Sequence, residues 1–217
     1  MSTQFNETEQ AILAAALEEF SKHGRQGARM QDIADRAGLN KALLHYYFRS
    51  KERLYEEVFT YVFRHYFTRM TTPLRSDGSF AEILRQFIHQ YVDLLNENPA
   101  LPMFMLREVA EGAPVFRRRI GEIAATHLDP ESGDTPLGLP NTILAFFERG
   151  VREGAVTQAD PFQTMISVMG ACIYFFAAFP IFAAVMPGLE QQRAALTEAR
   201  KDHIFELVYY GLKPRTE

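Results

Sequence analysis

The sequence predicts an all-α protein of about nine or ten helices, in which a three-helix helix-turn-helix domain precedes a larger helical domain. Three observations favour this fold class. Apolar residues recur at helical spacing, capping residues mark several helix starts, and no segment alternates apolar and polar residues as a strand does. With 217 residues, 47% of them hydrophobic, the chain can bury a sizeable core.

Caps, glycines and prolines delimit the helices. Asn6 with Glu9 and Ser79 with Glu82 have capping-box spacing, and Asp160 before Pro161 is a typical helix start. Residues 129–140 contain three prolines and two glycines and are expected to form a loop. The predicted helices cover residues 7–23, 30–37, 41–48, 51–70, 80–97, 101–111, 115–127, 141–153, 161–185 and 189–212.

Composition narrows the function classes. The formal net charge of −4 argues against a protein that coats nucleic acid through its overall positive charge. A protein with one small basic face is still compatible with this net charge. A single cysteine, Cys172, excludes an internal disulfide and suits a reducing cytoplasm. The six histidines lack the spacing of metal ligands, so neither a metal nor another cofactor is expected. No signal-peptide pattern is present at the amino end.

Residues 30–49 have the spacing of a helix-turn-helix. Ala34 is small enough for two helices to cross closely, Gly38 can supply a positive φ in the turn, and Asn40 can cap the second helix. The capped helix end can face a phosphate. Between Asn40 and Arg53, four basic residues stand against one acidic residue, which concentrates positive charge in an acidic chain. The residues predicted to be exposed on this face are Lys41, Ala42, Leu43, His45, Tyr46 and Arg49.

The stretch from Gln31 to Glu52 resembles the signature of the TetR (tetracycline repressor) family, and the motif-level similarity covers residues 7–60. Members are homodimeric transcription regulators with an amino-terminal DNA-binding domain and a larger domain that binds an effector and dimerises. The resemblance implies a DNA-binding domain at 1–50 and an effector-binding and dimerisation domain at 51–217. The candidate DNA-binding residues are Arg29, Gln31, Asn40, Lys41, Ala42, Leu43, His45, Tyr46, Arg49 and Lys51.

Individual roles follow partly from that resemblance. Tyr46 and Lys51 match positions that contact the DNA backbone, and Lys41 and His45 match positions that point into the groove. Leu43 stands where the family often has threonine or serine, and a leucine can contact only a thymine methyl group. The operator sequence therefore does not carry over. Arg29 is expected either to reach the DNA or to be a solvated surface residue.

The segment from Pro161 to Leu189 contains no charged residue and is long enough to span a membrane. Pro180 and the acidic flanks argue against insertion, whereas a helix at the centre of a dimeric four-helix bundle would also be apolar on all sides. We therefore expect this helix and the last one to form a two-fold interface. Its candidate residues are Ile173, Phe176, Ala177, Leu196, His203, Ile204, Leu207 and Val208.

Aromatic residues and methionines between residues 84 and 182 can line an adaptable apolar cavity, although ordinary core packing explains each of them as well. The candidate pocket residues are Phe87, Tyr91, Met103, Phe104, Arg107, Phe146, Phe147, Tyr174 and Phe175.

The function predicted is that of a ligand-responsive repressor, a cytoplasmic homodimer released from a near-palindromic operator by a small, largely apolar or aromatic effector. A membrane-tethered or architectural DNA-binding protein without an effector is the alternative. An enzyme is not expected, because the sequence lacks the common nucleotide-binding, nucleophile-elbow and zinc-protease motifs.

Overall fold

The computed structural model describes residues 6–119, 139–157 and 159–213, and all regular structure in them is helical, which confirms the all-α prediction. Ten α-helices are numbered here in chain order. They are α1 (Glu7–Gly27), α2 (Met30–Arg36), α3 (Lys41–Phe48), α4 (Lys51–Val62), α5 (Thr68–Thr71), α6 (Phe80–Glu97), α7 (Leu101–Ala110), α8 (Leu139–Arg152), α9 (Pro161–Val185) and α10 (Arg193–Leu212). Residues 114–119 are also helical, and the rest of the helix predicted to reach residue 127 lies outside the described residues.

The predicted helix starts are confirmed by their hydrogen bonds. The Asn6 side chain accepts from the Glu9 amide at 2.9 Å while the Glu9 carboxylate accepts from the Asn6 amide at 2.9 Å. Ser79 and Glu82 form the second capping box, and Asp160 accepts from the Gln163 amide. These caps satisfy amides that no preceding turn can serve.

Several predicted boundaries differ from the structure. Helix α1 continues past a kink at Gly24 to Gly27, and α10 begins at Arg193 after the 3₁₀ turn Glu190–Gln192. The fourth helix does not continue as a regular α-helix towards residue 70, because a π-helical turn, Phe63–Phe67, follows Val62 and precedes the short helix α5. Helix α8 begins at Leu139, so the last two residues of the predicted loop are helical. Proline is tolerated there because the first-turn amides have no intrahelical acceptor to lose.

The chain divides into two compact units. The first contains residues 6–65 and 100–119, and the second contains residues 66–99 and the described residues from 139 onward. In the first unit, Tyr55 of α4 packs against Phe20 of α1 and Phe104 of α7, with ring centroids 4.9 and 5.3 Å apart. Helices α4 and α7 therefore belong to the same packed unit as α1 to α3. The functional boundary between residues 50 and 51 stays a prediction.

The second unit is built on α6, which packs against α8, α9 and α10. Phe80 of α6 stacks on Phe146 of α8 with ring centroids 4.4 Å apart. The two helices approach so closely at Gly150 that a β-carbon there would lie 2.4 Å from the Phe80 ring. Lys201 of α10 is largely buried, and its ammonium group lies 2.6 Å from the Asp93 carboxylate of α6.

Helix α9 is long and apolar enough to cross a membrane, by length and composition alone. Of its most apolar 18-residue stretch, only 28% is buried within the subunit, whereas a core helix would be mostly buried. Five of its exposed apolar residues follow one another at separations of four, eight, seven and four positions, so they form a stripe along one side of the helix. This stripe, called the α9 stripe below, consists of Phe162, Ile166, Tyr174, Ile181 and Val185.

Candidate functional site

Helices α2 and α3 form the predicted helix-turn-helix. Ile33 and Ala34 of α2 and Leu44 and Phe48 of α3 are buried. The turn between the helices contains Gly38 with φ 70°, a conformation that side chains with a β-carbon rarely adopt. The pair is thus held by apolar contacts on its inner side, which leaves the outer side of α3 available to a ligand.

The amino end of α3 is capped and open to solvent. Asn40 accepts from the Leu43 amide at 2.8 Å, so its side chain is used to start the helix. Lys41 and Ala42 in the first turn are exposed, as are His45 and Tyr46 further along the helix and Arg49 directly after it. Tyr46 is 76% exposed, so its ring is available to a ligand at the surface. Leu43 is half-buried. The predicted outer face of α3 is therefore present, and it carries both cations and an exposed aromatic ring.

Arg49 ends α3 in a strained conformation. Its φ of 59° and ψ of −48° lie in a region that non-glycine residues rarely occupy. The Ser50 amide donates to the Phe48 carbonyl, which makes a γ-turn centred on Arg49. The His45 Nδ1 atom lies 3.1 Å from the Arg49 carbonyl oxygen. Strain of this kind persists where the surroundings impose it, often at functional sites.

Lys51 has a structural role that the sequence did not suggest. Its ammonium group donates to the Gln26 carbonyl at 2.9 Å and to the Ala28 carbonyl at 3.1 Å. Two of its three N–H groups therefore hold the end of α1 against the start of α4. The predicted phosphate contact at Lys51 stays a prediction, made by a side chain that is already oriented by the fold.

The remaining predicted DNA-binding residues lie on the amino side of α3. Arg29 is exposed and precedes α2 without a side-chain capping bond, and Gln31 donates to the Asp35 carboxylate at 2.7 Å. All ten predicted residues are exposed or half-buried. One correction concerns charge. Arg53 lies 2.7 Å from the Glu57 carboxylate and 3.9 Å from that of Glu56, so it adds less to the positive face than the sequence count implied.

The nine predicted pocket residues do not share one unit. Met103, Phe104 and Arg107 belong to the first unit and the other six to the second. Arg107 is committed to α1, because its guanidinium donates to the Ser21 and Lys22 carbonyls beside the kink at Gly24. A kink leaves some carbonyl groups of a helix without donors from the same helix, and the Arg107 guanidinium donates to two such carbonyl groups. The predicted pocket stays a prediction, and the Arg107 guanidinium in it already donates to main-chain carbonyls of α1.

Within the second unit, the aromatic candidates differ in burial. Phe87, Tyr91, Phe146 and Phe147 are buried, whereas Tyr174 is 64% exposed and belongs to the α9 stripe. Burial raises the pKa of the Tyr91 hydroxyl, so this group is a neutral donor inside the unit. Burial also raises the pKa of the neighbouring Cys172 thiol to about 12.

The residues of the predicted dimer interface differ in burial, and the interface itself stays a prediction. Phe176 and Ile204 are buried inside the single subunit. Leu207 and His203 are exposed, and the other four residues, Ile173, Ala177, Leu196 and Val208, are half-buried. The interface residues predicted from the sequence do not include the α9 stripe. A helix that is apolar on all sides has no polar face that would show which side is exposed.

Among the described residues, no group of three or more histidine, cysteine or acidic side chains could hold a metal ion.

Known proteins resemble this chain in sequence and in fold. The family description "Bacterial regulatory proteins, tetR family" matches residues 12–58. The HTH-type transcriptional regulator RutR of Escherichia coli K12 is 25% identical over 205 residues, which cover 94% of this chain and 90% of RutR. The HTH-type transcriptional repressor NicS of Pseudomonas putida is 36% identical over 106 residues, 48% of this chain and 50% of NicS.

A solved structure shares the fold. The transcriptional regulator FadR from Bacillus subtilis, crystallised with stearoyl-CoA, superposes with a TM-score of 0.66 at 19% identity and covers 94% of this chain and 98% of FadR. The similarity thus extends over both compact units.

Proposed function

Because this chain belongs to the TetR family of transcriptional regulators, we propose that it is a homodimeric repressor released from a near-palindromic operator by a small apolar or aromatic effector. The observation that carries the proposal is the outer face of α3, where exposed cations and an exposed tyrosine stand on a helix whose inner face is packed. Regulators of this family bind DNA and effectors and are dimeric. The protein would act in the cytoplasm and not as an enzyme.

In this proposal, α3 of each subunit enters the major groove. Lys41 and His45 reach base edges, Leu43 contacts a thymine methyl group, and Tyr46 and Lys51 contact phosphates. Arg29 and Arg49 add cations at the two ends of the helix-turn-helix. The two recognition helices of a dimer would lie about 34–36 Å apart to fit successive major grooves.

The second subunit would cover the α9 stripe. Phe162, Ile166 and Ile181 expose half or more of their surface in the single chain, and Leu207 and Tyr210 of α10 do the same. Exposed apolar area of this extent marks an interaction surface. A two-fold pairing of α9 and α10 with their copies would bury it in an isologous four-helix interface.

The effector would bind in the second unit, near the buried aromatic residues of α6 and α8. Its binding would displace α4 and change the separation of the recognition helices. A coupling free energy of about 1–3 kcal/mol would lower operator affinity by about 5- to 150-fold.

The membrane-tethered alternative has one specific observation in its favour, the exposed apolar surface of α9. The two proposals predict different fractions after cell lysis. A dimeric regulator is released from membranes by an alkaline carbonate wash, whereas a tethered protein stays in the pellet.

The decisive experiment is selection of bound fragments from a pool of random duplex DNA, followed by affinity measurements over a salt series. We expect an enriched near-palindrome, with weaker binding for Lys41→Ala and unchanged binding for Lys22→Ala, an exposed lysine of α1 near Glu18 that serves as the charge-matched control. Repeating the selection with candidate small molecules identifies those that abolish enrichment. Absence of binding to any duplex at low salt would refute the proposed function.

A further inference from the structure

Helix α7 ends in a tight corner that leads directly into the helical residues 114–119. The Ala113 amide donates to the Glu108 carbonyl and the Gly112 amide donates to the Val109 carbonyl, the hydrogen-bond pattern of a Schellman motif. Gly112 and Ala113 both have positive φ, 84° and 54°. The direction in which the chain leaves α7 is therefore fixed by main-chain bonds.

The side chain of Glu108 completes this corner. Ala113 precedes the helical residues 114–119 and has no side-chain oxygen with which to cap them. Instead, the Glu108 carboxylate accepts through Oε1 from the Val115 amide at 2.7 Å and from the Phe116 amide at 3.0 Å. A negative charge at a helix start is favourable, and it satisfies amides that would otherwise be buried without an acceptor.

The second oxygen of Glu108 connects the corner to α4. Oε2 accepts from the Tyr55 hydroxyl at 3.1 Å, and both side chains are 2% exposed. Burial, followed by the negative charge of Glu108, raises the pKa of Tyr55, so the hydroxyl is always a donor at neutral pH. The Tyr55 ring is fixed by Phe20 and Phe104, which leaves it little freedom to follow another acceptor.

A layer of ion pairs lies beside this bond. Arg119 is 13% exposed and lies 3.1 and 3.2 Å from the carboxylates of Glu56 and Glu57, which directly follow Tyr55. Arg118 also pairs with Glu56. Two of the three consecutive arginines at 117–119 are thus paired with carboxylates of α4.

We infer that Glu108 is a positioning residue for DNA binding, because its carboxylate joins the α7 corner to α4 through Tyr55 and so fixes where α3 stands. Only Arg49 and Ser50 separate α3 from α4, and a shift of α4 is therefore passed directly to the recognition helix. This inference rests on the proposed function. The hydrogen bond between Tyr55 and Glu108 is the contact that would control movement of α4.

The test compares Tyr55→Phe, Glu108→Ala and Glu108→Gln in the full-length protein on the selected duplex. Tyr55→Phe and Glu108→Ala should each lower operator affinity by about tenfold and weaken the preference for one half-site spacing. Glu108→Gln should stay within about twofold, because its amide oxygen can accept from the helix start and its amide nitrogen can donate to Tyr55. The double variant Tyr55→Phe/Glu108→Ala should lose no more affinity than Glu108→Ala alone, since both remove one contact.

The matched control is Tyr66→Phe, which removes the hydroxyl that donates to Asn98 at 2.8 Å in the second unit. Its operator affinity should equal that of the wild type. Peptide-level hydrogen exchange without DNA provides a second measurement, in which Tyr55→Phe should raise exchange in α3 and the first turn of α4.

Four outcomes would contradict the inference. Lower melting temperatures with wild-type affinity and spacing preference in the folded protein would overturn it and leave Glu108 a stability residue only. Unchanged exchange in α3 and α4 would overturn it as well. A wild-type protein that binds no duplex would remove the proposed function together with the inference, whereas binding that is insensitive to all three variants removes the inference alone.

Discussion

Replacing Arg49 by glycine should change stability and DNA affinity in opposite directions. Arg49 has φ 59° and ψ −48° at the end of α3, where it forms the centre of a γ-turn. A non-glycine residue in such a conformation costs about 1–3 kcal/mol. Glycine removes that cost but loses about 0.5–1 kcal/mol through the greater freedom of the unfolded chain. The net expectation is a free energy of unfolding about 1 kcal/mol higher for Arg49→Gly.

Arg49→Ala provides the reference, because it also removes the cation but keeps a β-carbon in the strained turn. We expect Arg49→Gly to exceed Arg49→Ala in stability by about 1 kcal/mol, or about 2–4 °C in Tm for a chain of this size. Both variants should bind the operator more weakly. Each lost phosphate contact lowers the slope of log K against log salt by about 0.9, which doubles in a dimer that uses both copies.

Urea unfolding at one fixed protein concentration measures the stability difference, since subunit association makes stability concentration-dependent. Fluorescence anisotropy over a salt series measures the slope. If Arg49→Gly is no more stable than Arg49→Ala, the turn is not strained and the reasoning fails. If the slopes of both variants equal that of the wild type, Arg49 does not contact a phosphate.

Other perturbations test other parts of the structure. Gly150→Ala should destabilise the protein by about 1–3 kcal/mol in urea unfolding, because a β-carbon would lie 2.4 Å from the Phe80 ring; wild-type stability would show that α6 and α8 separate at no cost. Lys51→Ala should reduce the salt slope by about one unit per site and also lower Tm, since Lys51 holds two α1 carbonyls; an unchanged slope would remove it from the phosphate contacts. The Cys172 thiol should resist disulfide reagents at pH 8 until the protein unfolds. Fast labelling of the folded protein at pH 8 would contradict the burial of this thiol. Because the folded thiol has a pKa of about 12 against an ordinary value of 9.0, its contribution to stability should decline as pH rises from 9.0 towards 12.

Local signals in the sequence were sufficient for the helices and for the outer face of α3. A cap such as Asn6 with Glu9 acts over three residues, so its geometry follows from spacing alone. The same holds for Gly38 and Asn40, which define the turn and the start of α3. The π-helical turn after α4 has no comparable local signal.

Contacts between distant residues could not be predicted in this way. Arg107 and Ser21 are 86 positions apart, and Glu108 and Tyr55 are 53 positions apart, so no motif connects them. Each is a charged residue whose partner is a main-chain or hydroxyl group, and such partners leave no compositional trace. The sequence also could not predict which side of α9 is buried. Phe176 and Ile181 are equally apolar and differ only in whether other parts of the subunit cover them.

The α9 stripe has a consequence for biosynthesis. In a newly made chain that has not yet met a folded copy, Phe162, Ile166 and Ile181 are open to water and can contact other unassembled chains. Self-association into the wrong contacts then competes with correct assembly, and the outcome depends on how fast the chains are produced. The yield of active protein should therefore rise when translation is slowed, even though every helix forms from local signals.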